Sequence, residues 1–245
     1  MQLSSLLYIG LCCFTSPAST HHHTFDDDAI LSRSRSRFQE ARLVPDLLPA
    51  FNPQGTLAVS QATPTMVIVE LHLPDDKDLR NPGFTLRSQE MQSCPEFQLF
   101  PGETGLLRPA DTFTLIMLDP DSPTHANSSG AKLHLLTTGL ALDRNHNPIE
   151  AYKLVNKTEF VVNWLSPTPE PNTGVHRYTF LLYQGLAAPE SLQPFQDPAF
   201  NRSGFNLAQF TRTARLQEPY AATFTNLDST LPPNSTNQSL SCSHV

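Results

Sequence analysis

No stretch of this 245-residue chain is apolar for long enough to cross a bilayer, which takes about 20 residues, so no transmembrane segment is expected. Basic residues are scarce. Lys and Arg number 16 against 23 Asp and Glu, a net charge of -7 that leaves no electrostatic footprint for nucleic acid or an anionic membrane surface. Also absent are H-E-x-x-H, G-x-S-x-G and, beyond the first residues, any cysteine pair spaced for zinc. The expectation is a protein that is not an enzyme and carries no metal and no cofactor. Glycine is low at 10 and proline high at 22, while 39% of the residues are hydrophobic. The apolar content can build a core, and so many helix-breaking positions favour strands and loops.

Residues 1–18 begin without charge, pass through an apolar run from Leu6 to Phe14 and reach small residues at Ser16 and Ala18. This is the pattern of a signal peptide; a buried N-terminal strand is the competing reading, because a basic start is missing. Sequons at Asn127, Asn156, Asn201, Asn234 and Asn237 are glycosylation acceptors in that secretory setting. The expected location is therefore outside the cell, with the vacuole as the other destination. Cleavage after Ala18 removes Cys12 and Cys13 and leaves Cys94 and Cys242, which are expected to pair; two free thiols are the alternative.

After the leader, residues 19–45 hold two polar blocks, HHHTFDDD at 21–28 and SRSRSR at 32–37, in which no apolar period is visible. They are expected to be mobile, and the three histidines to be solvated rather than metal-binding. Residues 46–228 form the expected domain, and 229–245 a Ser/Thr/Asn-rich tail that includes Cys242. Within the domain, runs rich in β-branched and aromatic residues predict strands at 65–73, 112–118, 133–140, 159–164 and 176–184. Turn signals such as Pro74-Asp75-Asp76 and Pro101-Gly102 separate them, and no long helices alternate with them, which argues for antiparallel pairing. One late helix is expected where Phe205, Leu207, Ala208 and Phe210 form a stripe between Gly204 and Pro219. A monomer is expected.

Three segments carry candidate chemistry. In Asp119-Pro120-Asp121-Ser122-Pro123, two prolines stiffen the corner that ends an apolar strand, so a carboxylate can be held still; a turn whose aspartates cap amides is the alternative. Alternation along 132–138 puts His134, Leu136 and Thr138 on one face, and along 174–183 it groups His176, Tyr178 and Phe180 with Arg177 opposite. Either histidine alone reads equally as a satisfied core residue.

Together the three segments are more specific. A strand ending in DPDxP, a strand with a central histidine, and the proline-rich 164–174 ending in TG-x-HRY resemble the phosphatidylethanolamine-binding family, over about residues 65–224. The resemblance implies an all-β fold, an antiparallel β-sandwich with a large central sheet and one or two peripheral helices near the C-terminus. It also implies that Asp119, His134, His176 and Tyr178 line a shallow pocket for phosphate, a phospholipid head group or a similar anion. Asp121 supports the corner and Trp164 heads the pocket loop. Ser166 stands where the family has the loop's first glycine, and Lys132 where an aromatic is common.

A carboxylate beside two imidazoles favours their charged form, raising a histidine pKa from about 6.5, so anion affinity is expected to weaken as pH rises. Two rivals remain open. Two histidines and an aspartate can form a metal triad or an acid–base set, and the same fold can act through its surface as an inhibitor of a serine carboxypeptidase or as a signalling partner.

Overall fold

Thr112–Asp119 (β4) carries an unbroken apolar run from Leu115 to Leu118 rather than an alternating one, the pattern of a strand covered on both faces. In the computed structural model, which describes residues 27–61, 82–86, 91–102, 105–127, 130–143 and 151–230, both faces are indeed buried. Successive side chains point to opposite sides, so Ile116 and Leu118 enter one hydrophobic cluster and Phe113, Leu115 and Met117 another.

The other described strands are β1 (Gly55–Gln61), β2 (Phe84–Leu86), β3 (Pro95–Pro101), β5 (Lys132–Leu142), β6 (Tyr152–Asn156), β7 (Val175–Gln184) and β8 (Ala221–Asp228). They form one sheet in the order β1-β3-β6-β5-β4-β7-β8-β2. The pairs are antiparallel except that β2 runs parallel to β8, with Phe84 opposite Thr225. The sheet curls: the amides of Gln54 and Gly55 donate to the carbonyl of Tyr220, bringing the start of β1 against the start of β8. Leu57, Leu99 and Leu154 from one end of the sheet order and Phe180 and Leu227 from towards the other therefore meet in one cluster inside the curl.

Helices cover the outer face. The late helix α4 (Leu207–Ala214) buries Leu207, Phe210 and Ala214, while Ala208, placed on the stripe by the sequence pattern, is exposed. Asn206 caps it, its side chain accepting the Gln209 amide. A short turn of helix, α3 (Pro189–Leu192), packs beside it.

Two expectations are corrected. Residues 27–40, expected to be mobile, form the helix α1 (Asp27–Glu40), followed by the short α2 (Leu43–Asp46). The Ser-Arg alternation hides a narrow stripe at Leu31, Ser34 and Phe38, spaced three and four apart, and these residues are buried. Phe38 is fully enclosed, 4.3 Å from the ring of Phe51 and 5.2 Å edge-on from that of Phe224. The segment 159–164 is not a strand. It touches β5 through one bridge, Val162 to Leu136, and its next contact is Leu165 to His134. The segment thus advances three residues while β5 advances two, and the extra residue breaks the ladder as a bulge does. The predicted strand at 65–73 lies outside the described residues, whereas those at 112–118, 133–140 and 176–184 fall within β4, β5 and β7.

Candidate functional site

The irregular run beside β5 aims a backbone carbonyl at a side chain. His134 Nδ1 lies 2.8 Å from the carbonyl oxygen of Leu165, and because a carbonyl only accepts, Nδ1 carries the hydrogen. The other nitrogen, Nε2, is buried and has no hydrogen-bond partner among the described residues. Burial drives the pKa of His134 down to about 4, outweighing the Leu165 bond and the Asp119 charge, which push it up; Lys132 and Arg202 push it further down. The expected rise is thus reversed for this histidine: desolvation of the ring exceeds the pull of the carboxylate.

His176 sits across the site on β7. Its Nδ1 is 2.8 Å from Asp119 Oδ2 and its Nε2 is 2.8 Å from the hydroxyl of Thr173. Thr173 reaches it because Gly174, with φ at +93°, turns the proline loop back in a conformation that favours glycine. Tyr178 stands between the imidazoles, its ring 5.1 Å edge-on from His134 and 6.3 Å stacked on His176. Burial first, then the charge and a hydrogen bond of Asp119, raise its pKa, so the phenol stays protonated.

The DPDSP corner carries two carboxylates with different tasks. Asp119 faces the histidines, and its Oδ1 accepts the Asp121 amide at 2.9 Å. Asp121, also fully buried, is committed to Arg177. One oxygen accepts the Arg177 backbone amide at 2.8 Å and Nε at 2.9 Å, and the other accepts Nη2 at 2.7 Å and lies 2.6 Å from His125 Nδ1. Burial alone would raise the Asp121 pKa, but these bonds outweigh it and hold the carboxyl below its ordinary 3.8. Asp121 therefore supports the corner and has no oxygen to spare for a ligand.

Asp119, His134, His176 and Tyr178 are thus brought together. Trp164 is at the edge, its indole N–H donating to the Gln92 carbonyl at 3.4 Å, and the neighbouring Ser166 hydroxyl donates to the same oxygen at 2.7 Å. Sequence reasoning missed Thr173, the Leu165 carbonyl and the role of Arg202, whose guanidinium donates to the carbonyl of His134 at 3.1 Å. The first could be read from TG-x-H; the others depend on backbone positions that no side-chain motif records. Among the described residues, no three His, Cys, Asp or Glu side chains are placed to hold a metal ion.

Of the sequons, Asn201 is exposed, while Asn156 has a buried amide nitrogen without a partner among the described residues. Asn127 ends a short 3-10 turn, and Asn234 and Asn237 lie outside the described residues, as does Cys242. Cys94 is in a disulfide.

A family model for phosphatidylethanolamine-binding proteins matches residues 70–238. The chain belongs to this family. Among phosphatidylethanolamine-binding proteins, it is 29% identical over 147 residues to the carboxypeptidase Y inhibitor of Saccharomyces cerevisiae, covering 55% of this chain. It is 35% identical over 147 residues to a 26 kDa secreted antigen of Toxocara canis, covering 59% of this chain. The chain spans 64% and 50% of those two curated relatives. A crystal structure of carboxypeptidase Y inhibitor complexed with its cognate proteinase superposes with a TM-score of 0.62 at 20% identity, covering 84% of this chain and 98% of that one. The family fold, a curled, mostly β sheet with few helices, is shared.

Proposed function

We propose that this phosphatidylethanolamine-binding protein is a secreted, non-enzymatic protein that takes a phosphate-type anion or a phospholipid head group into the shallow site at Asp119, His134, His176 and Tyr178. The observation that carries this is the bare Nε2 of His134, a buried polar atom waiting for a partner, with Lys132 and Arg202 near enough to act on the ring's charge. Calorimetric titration with phosphoethanolamine should give saturable binding. His134→Ala, which removes the bare nitrogen, should weaken it by roughly 10- to 100-fold, the value of a hydrogen bond to a charged group. No heat at millimolar ligand would remove the reading.

A second reading has its own support. The solved relative that this fold covers almost completely is an inhibitor bound to its proteinase, and the test for this chain is inhibition of a serine carboxypeptidase. Peptidase activity should fall when the mature protein is added, and an unchanged rate at large excess would exclude that role.

Export entails a Cys94–Cys242 bond and glycans. Mass spectrometry of the secreted protein should join peptides containing the two cysteines and find sugar on Asn201 but not on Asn156, where a glycan has no room at a buried amide. Two free thiols, or a modified Asn156 beside a bare Asn201, would count against it.

A further inference from the structure

We infer, building on that reading, that a phosphate monoester is held with about one proton more than the free ligand and free protein carry at neutral pH, shared between the ligand and His134 Nε2. Hydrogen-bond bookkeeping requires it. Nδ1 is committed as a donor to the Leu165 carbonyl, so in the neutral ring Nε2 is only an acceptor. A phosphate dianion also offers acceptors alone. Two acceptors repel, and contact between them needs a proton, placed either on the ring or on the phosphate.

The surrounding groups set which way that proton is drawn. Asp119 on β4 favours a charged ring, while Lys132 on β5 and Arg202 before α4 disfavour it, and burial holds the free imidazole neutral. From β7, His176 and Tyr178 face the same space, but both His176 nitrogens already have partners. Lys132 and Arg202 still attract an anion, so the site suits a ligand that is negative and brings a hydrogen. A monoester has its second ionisation near pH 6, so at higher pH it must recover a proton on binding. Affinity should then fall about tenfold for each pH unit above that point. Weakening with rising pH follows from proton uptake, rather than from an imidazolium resident in the free protein.

The test is calorimetry of methyl phosphate in buffers of different ionisation heat. At about pH 7.5 the buffer dependence should report uptake of roughly one proton per ligand, falling towards zero near pH 5. His134→Gln, which offers an amide donor in place of the bare nitrogen, should bind without uptake. In the wild type, imidazole 15N spectra should show the His134 Nε2 resonance leave its bare position on titration, a readout that needs no substitution. Binding without proton uptake, full uptake in His134→Gln, or an unmoved Nε2 resonance would overturn the inference while leaving an anion site; no binding of methyl phosphate would remove both.

Discussion

Asp121→Ala should cost about 3–5 kcal/mol of folding stability, measured by denaturant unfolding, because it strands the buried guanidinium of Arg177. The loss is not the worth of the ion pair. Replacing both partners by apolar residues of similar volume, as in Asp121→Leu with Arg177→Met, should recover much of it, since the desolvation cost of both charges disappears together. A double variant no better than the sum of the singles would contradict this account. The pH profile gives a second reading. The folded pKa of Asp121 is depressed, so its contribution is fully present above about pH 3.8 and is lost as pH falls through the lower folded value. His134 acts in a higher window: its folded pKa is near 4 against 6.5 unfolded, so the unfolded chain binds more protons and stability declines as pH drops from 6.5 towards 4. His134→Gln should flatten the upper decline and Asp121→Ala the lower one.

Phe38→Ala should also cost about 3–5 kcal/mol, from lost burial, the cavity left behind and two ring contacts. Phe38 follows directly on SRSRSR and precedes Gln39-Glu40, a polar setting that hides its burial. Ser34 lies one turn earlier, and its hydroxyl is buried without a partner among the described residues. Ser34→Ala removes an unsatisfied group and should leave stability unchanged or slightly raised. A small effect of Phe38→Ala would mean that α1 is not part of the folded core.

The contrast between α1 and β4 shows what was legible. In β4, apolar side chains are dense enough that any register buries them, and the strand could be read directly. In α1 only three buried positions recur among arginines and serines, one of them a serine, so the period is present but most of its signal is polar. The site divides the same way. Asp119, His134, His176 and Tyr178 could be found because side-chain types mark them, and alternation correctly put Arg177 on the far face. The direction of the His134 pKa was misread because it depends on burial, which the local sequence does not record. The Leu165 contact arises from a one-residue mismatch between two segments, and that appears only once they lie side by side.

The corner at Asp119 and Asp121 has a mechanical consequence. Its carboxylates grip successive residues of β7, one in the site and one on the opposite face, and Arg177 reaches on to the Ala41 carbonyl and Asp46. Site and N-terminal helices are therefore linked in series through a stiff joint two residues long. A displacement of Asp119 would load the same joint that holds Arg177 against Asp46 of α2, on the opposite side of the sheet.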